Sequence, residues 1–197
     1  MNKIFLATQN QHKIQEIETI LSQDGFQFLS LNDFPNMPNV EEDGNTFLAN
    51  AIKKAKVGFE YTGLPTLADD SGLEVDYLEG LPGVISARFA GEHGDAKANN
   101  QKLLNCLQDV PREKRKARFR CVVAFVFKHF EIWAEGTTEG FILTSSHGEK
   151  GFGYDPLFFY PPAGKTFAEM SEDEKNSVSH RGKAFRAMAE KLRQLKE

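Results

Sequence analysis

The strongest apolar run of the chain, Cys121 to Phe127, reads CVVAFVF. A helix needs ~20 apolar residues to cross a bilayer, so a stretch this short reads as a strand buried inside a sheet. It is the heart of a segment in which Ala117 to Phe127, Phe130 to Thr137 and Gly140 to Thr144 form an antiparallel meander. Lys128-His129 and Thr138-Glu139 are the turns expected between its strands.

The rest of the chain mixes the two periodicities. Lys3 to Ala7 reads as a short strand, and polar Thr8 to His12 lead into a helix with Ile14, Ile17 and Leu21 on one face. A loop covers Asn32 to Gly44, after which Phe47, Ala51, Ala55 and Phe59 recur at helical spacing, with Asn45 or Thr46 as the cap. A brief strand ends at Ala68, polar Asp69 to Gly72 interrupt it, and Leu73 to Leu78 alternate until Gly80 to Gly83 break the pattern. A helix from about Asp95 carries Leu103, Leu104 and Leu107 inward. A strand over Leu157 to Tyr160 follows, and a closing helix presents Phe185, Met188, Leu192 and Leu195. Isolated strands, a meander and helices together indicate an α/β fold with a mixed sheet. An elongated or bent body is expected, with two lobes flanking a groove.

At 197 residues and 40% hydrophobic, the chain can bury one substantial core or two small lobes. Residues 1–197 are therefore expected to form a single two-lobed domain. The net charge of -4 gives no positive field to draw the protein onto nucleic acid. Only Cys106 and Cys121 are present, too few for a disulfide framework, and no apolar leader follows Met1. A soluble cytoplasmic protein is the expectation, without membrane or nucleic-acid partners.

Polar clusters at element boundaries carry the chemistry. Thr8-Gln9-Asn10-Gln11-His12-Lys13 lies at a strand-to-helix turn, where N–H groups and one lysine can cradle phosphate. The same residues serve equally well as helix caps, and the GxxxxGK[ST] pattern of a P-loop is absent. Glu41-Glu42-Asp43-Gly44 precedes a helix, whose dipole alone could account for the carboxylates. Asp69-Asp70-Ser71-Gly72 follow apolar Leu67-Ala68, where a bare carboxylate pair costs stability unless a cation or donors compensate. Magnesium, which takes hard oxygen ligands and shares its shell with substrate phosphates, balances ordinary turn chemistry there. Finally, Gly151-Phe152-Gly153-Tyr154-Asp155-Pro156, with Lys175 and Ser179-His180-Arg181, combines close backbone approach, aromatic faces for a base and charged donors.

Taken together, these motifs resemble the inosine triphosphate pyrophosphatases, or XTP/dITP diphosphatases. The resemblance rests on Ala7-Thr8-Gln9-Asn10 to Lys13, Glu42-Asp43-Gly44 with Thr46-Phe47 and Asn50-Ala51, and Ala68 to Leu73. It continues through Pro82-Gly83 with Ser86-Ala87-Arg88, Gly151 to Pro156, and Ser179 to Gly182. Position 9, often glycine in that family, is Gln here. The resemblance implies a two-lobed α/β homodimer with a central active-site cleft, hydrolysing ITP, dITP and XTP to monophosphate and pyrophosphate. It implies that Thr8, Gln9, Asn10, Gln11, His12 and Lys13 hold the triphosphate, and that Glu42 and Asp70 bind Mg2+, with Asp70 also the general base. Ser71, Phe152, Gly153, Tyr154, Asp155, Lys175, His180 and Arg181 are then expected to contact the substrate. Donors on His180 and Arg181 suit a purine 6-keto oxygen.

Three rival readings stand beside this one. A pyrophosphatase for other modified nucleotides is separable by a substrate panel. A non-catalytic nucleotide-binding module would not need Glu42 and Asp70 together. A nucleic-acid binder would use the basic run Arg112 to Arg120, which otherwise reads as a solvated edge before a buried strand.

Overall fold

Residues 3–21 and 25–195 are described by a computed structural model. The strand read at the N-terminus is β1 (Lys3–Leu6), and the amphipathic stretch after it is α1 (Gln11–Leu21), burying Ile14, Ile17 and Leu21. Then come β2 (Gln27–Ser30), α2 (Phe47–Thr62) and β3 (Thr66–Val75). Thr46 caps α2, its Oγ1 accepting from Ala49 N at 3.1 Å, and Gly63 closes the helix at φ 69°. Helix α3 (Ala96–Cys106) starts after the cap Asp95. β4 (Lys116–Phe127) and β5 (Phe130–Ile142) are joined at Lys128-His129. The chain then forms β6 (Phe158–Tyr160), β7 (Lys165–Thr166), α4 (Glu172–Val178) and α5 (His180–Gln194).

The strands form one mixed sheet in the order β2-β1-β3-β4-β5-β6-β7. β1 pairs in parallel with β2 and β3, whereas β6 is antiparallel to both β5 and β7. Two compact units share these strands. The first takes the chain up to Asp70, Cys121–Gly136 and the residues from His180 onward; the second takes Ser71–Arg120 and Thr137–Ser179. Each has its own core. Ile4, Leu6, Ile17, Leu67, Val123, Phe125, Phe185 and Met188 fill the first. Leu73, Leu103, Leu107, Phe119, Leu157, Phe158 and Phe167 fill the second, where the Phe119 and Phe167 rings stack with centroids 5.7 Å apart. Among the described residues, no helix is long and apolar enough to cross a membrane.

Several expectations change. β3 runs unbroken through Asp69 to Gly72, because partners described below satisfy the aspartates that local propensity disfavours in a strand. β5 likewise continues through Thr138-Glu139; Thr138 is fully buried and its Oγ1 donates to Val178 O at 2.7 Å. Leu195 is 40% exposed and so does not share the buried face of α5. Helix α4 was not anticipated, although Ser171 and Glu174 form a capping box at its start. Arg115, within the basic run, is buried and donates to the carbonyls of Leu107, Val110 and Leu143, so it is a staple in the second unit rather than a surface charge.

Candidate active site

In the first unit the site is built on the end of its share of β3. Asp69 and Asp70 are both buried, at 2% and 5% exposure, and each is met by a different set of partners. Asp69 Oδ2 accepts from Lys13 Nζ at 2.8 Å and lies 3.8 Å from Arg181 Nε. Burial alone would raise this carboxyl, but Lys13, Arg181 and Lys54 outweigh it and hold the group well below the usual carboxylate range. Arg181 is itself buried; its Nη1 donates to Glu16 of α1, and the two carboxylates keep the guanidinium charged against the cost of burial. Lys13 and Glu16 on α1, Asp69 on β3 and Arg181 on α5 thus form one buried ion cluster.

Asp70 has the opposite setting. Burial raises its pKa, the Glu42 carboxylate adds to the effect, and despite Lys54 and the amide of Asn50 the group is pushed up to about 6. Asn50 Nδ2 donates to Asp70 Oδ2 at 2.8 Å while Asn50 Oδ1 accepts from Gly44 N at 2.7 Å, so one amide fixes both the carboxyl and the loop that carries Glu42. A Cβ at Gly44 would come within 2.6 Å of that amide oxygen, which explains the glycine. Lys54 completes the group, its Nζ donating to Glu42 and, at 2.6 Å, to the Asp69 carbonyl. Burial works against this ammonium, but Glu42, Asp69 and Asp70 together raise its pKa above that of an ordinary lysine.

The sequence points to Asn50 and Lys54 in one respect. The buried face of α2 is Phe47, Asn50, Ala51, Lys54, Ala55 and Gly58, so a polar and a charged residue fall where the 3.6 period demands apolar ones. Glu16 carries no comparable signal. The fit of a divalent cation follows from the same geometry. Two carboxylates near enough for one to raise the other, beside the Lys54 ammonium, are the hard oxygen donors such an ion takes.

The turn Thr8 to Lys13 behaves first as a cap. Asn10 Oδ1 accepts from the backbone N–H of His12 and Lys13 at 3.0 and 3.3 Å, and Thr8 Oγ1 accepts from Asn10 N at 3.2 Å. Gln9, Asn10, Gln11 and His12 are exposed, and Lys13 is turned toward Asp69. His180, the first residue of α5, is 4% exposed.

The second unit gathers the glycine-rich residues. Asp155 Oδ2 accepts from Phe152 N at 2.9 Å and from Lys175 Nζ at 2.7 Å, closing the loop on a buried ion pair. The Lys175 ammonium lies 4.6 Å from the Phe152 ring centroid, a cation–π contact. Phe152 and Gly153 are half-buried, as is Ser71 on β3. Tyr154, expected as a possible face for a base, is instead part of the core, and its hydroxyl donates to Ser86 O at 2.9 Å.

Comparison with known proteins follows the same lines. The model of the Ham1 family matches residues 4–191. The "dITP/XTP pyrophosphatase" of Desulforamulus reducens is 54% identical over 194 residues, 98% of this chain and 96% of that protein. The protein of the same name from Geobacter sulfurreducens is 50% identical, over 98% and 97%. Among solved structures, a HAM1 protein from Coxiella burnetii superposes with a TM-score of 0.90 at 38% identity, covering 98% of this chain and 100% of that one. From near the first strand to the last helix, in sequence and in backbone, this chain belongs to the Ham1 family.

Proposed function

We infer that this chain is a nucleoside triphosphate pyrophosphatase acting on non-standard purine nucleotides, taking ITP, dITP or XTP and water to the monophosphate and pyrophosphate. The observation that carries the inference is the pairing of buried Asp70 with half-buried Glu42 beside Lys54, in a chain about half identical to proteins named for this reaction. Asp70 is assigned as general base, taking the proton of the water that attacks the α-phosphorus; burial beside Glu42 favours proton uptake by this carboxyl, and a magnesium ion bound to it would oppose that and favour a metal-bound water as the nucleophile. A magnesium ion held by Glu42 and Asp70 would neutralise charge on the triphosphate. Lys13 adds positive charge for the phosphate tail, and the turn from Thr8 to His12 supplies polar donors.

The base is assigned to the Phe152–Asp155 loop with Ser71 and Lys175. His180 and Arg181 supply donors for a 6-keto oxygen; adenine's amino group, itself a donor, is disfavoured there. The resemblance extends the inference to a homodimer in the cytoplasm. The test is pyrophosphate release from ITP, XTP, dITP, ATP and GTP with and without magnesium. Magnesium-dependent release from the first three is expected, and release from none of the five would overturn the assignment.

A further inference from the structure

Within the second unit the Gly151–Asp155 loop is fastened three times over. Asp155 closes it from inside through Phe152 N and Lys175. The Tyr154 hydroxyl ties it to Ser86 O. The third fastening comes from α3, where Asn100 Nδ2 donates to Gly153 O at 2.9 Å. Its neighbour Asn99 is 4% exposed, accepts from Ala90 N at 2.6 Å and donates to Ala87 O at 3.2 Å. Two consecutive helical residues therefore anchor two segments to one helix: the glycine-rich loop, and the chain around Ser86-Ala87-Arg88.

The other end of the Asn100 amide carries the information. Its Oδ1 is buried and has no hydrogen-bond partner among the described residues. Turning the amide over would not help, because the oxygen would then oppose the Gly153 carbonyl and the existing bond would be lost. A buried acceptor left unsatisfied destabilises a fold, and helix propensity favours leucine over asparagine at this position. Gly153 explains what the asparagine supplies. At φ 61° its peptide is in the left-handed region, and an outside donor fixes where its carbonyl points.

We propose that Asn100 is a positioning residue for base recognition: by holding the Gly153 peptide it sets the loop that presents Phe152 to the purine. The proposal rests on the assignment of that loop to the base. Asn100 bonds within the second unit, whereas Lys13, Glu42 and Asp70 belong to the first, so its influence falls on affinity for the base and not on the chemical step.

The test compares wild type with Asn100→Leu, which removes both ends of the amide, and Asn100→Asp, which replaces the donor with a carboxylate oxygen that repels the Gly153 carbonyl. Steady-state rates with ITP are read beside calorimetric titration with inosine monophosphate, inhibition by inorganic tripolyphosphate, and thermal melting. The expected result is a KM raised about tenfold, roughly the weight of one hydrogen bond. Inosine monophosphate should weaken in parallel, with kcat and tripolyphosphate inhibition within about twofold of wild type. Asn100→Leu, freed of the orphaned oxygen, should melt no lower than wild type; a lower melting point with unchanged KM would mark Asn100 as purely structural and overturn the proposal. Equal weakening toward tripolyphosphate, or a loss confined to kcat, would overturn it too. If Asn100→Leu does not fold, Asn100→Asp decides alone. A wild type that binds inosine monophosphate through Asn100 without cleaving ITP would refute the reaction and keep the proposal; one that does not bind it at all would refute the proposal.

Discussion

Asp69 and Asp70 are adjacent on β3 and both buried, yet the first is held fully ionised by Lys13 and Arg181 while the second is raised to about 6 beside Glu42. Successive strand residues point to opposite faces, so neighbours in sequence receive unrelated surroundings. Asp69 organises cations. Asp70 is left with a tunable proton, held in place by Asn50.

Asp70→Asn should therefore separate chemistry from folding. The new amide keeps an oxygen that can accept from Asn50, so the fold survives, but the residue loses its basicity and charge. Pyrophosphate release from ITP is expected to fall by about 10²-fold or more, the usual weight of a general base. A variant with undiminished turnover would remove Asp70 from the mechanism.

The same carboxyl predicts a pH dependence of stability in magnesium-free buffer. Its folded pKa lies above the ordinary 3.8, so between pH ~4 and ~6 the folded state keeps a proton that the unfolded state has released. Stability should fall as pH rises through that window, by up to about 3 kcal/mol from this group. Asp69 acts with the opposite sign, but below the window: its stabilisation is complete above the unfolded value and is lost only as pH falls further. Urea melts at pH 4 and 6 should show wild type losing stability relative to Asp70→Asn as pH rises. Equal slopes would disprove the assignment.

What was legible in the sequence were the elements with strong periodicity and the residue types the chemistry needs. Ile14, Ile17 and Leu21 fixed the buried face of α1, and CVVAFVF lies within β4, buried from Cys121 to Val126. What was not legible depended on partners distant in the chain. Asp69 to Gly72 look like a turn until Lys13 and Asn50 are placed against them, and Thr138-Glu139 look like another until Thr138 finds Val178. The pairing of Glu16 with Arg181 joins residues 165 positions apart, and nothing local announces it. Tyr154 shows the same limit, because an aromatic beside glycines reads alike in sequence and only the fold packs its ring into the core of the second unit.

Lys54→Met tests how the carboxylates are held. Lys54 is buried and its ammonium faces Glu42, Asp70 and the Asp69 carbonyl, so methionine fills the volume but leaves the carboxylates without that cation. Removing one partner of a buried ionic group costs about 3–5 kcal/mol. The urea midpoint should drop accordingly, and the loss should shrink at pH 4, where Asp70 is protonated. A loss that is the same at pH 4 and pH 7 would show that Lys54 contributes packing and not charge.

Gly151→Ala tests the loop of the second unit. Gly151 sits at φ 74°, where an L side chain is strained, and an added Cβ would collide with Asp155 Oδ2. That oxygen already serves both Phe152 N and Lys175, so the methyl group must displace the acceptor on which the loop closes. The backbone strain costs on the order of 1–3 kcal/mol. A larger effect is expected on the KM for ITP, because the displaced Asp155 frees Phe152 from its hydrogen bond and shifts the Lys175 ammonium from its ring. Asp155→Asn, which keeps an acceptor for Phe152 N and weakens the pull on Lys175, should raise KM less than Gly151→Ala does. The reverse order would mean that the ion pair, and not the closure of the loop, sets the affinity.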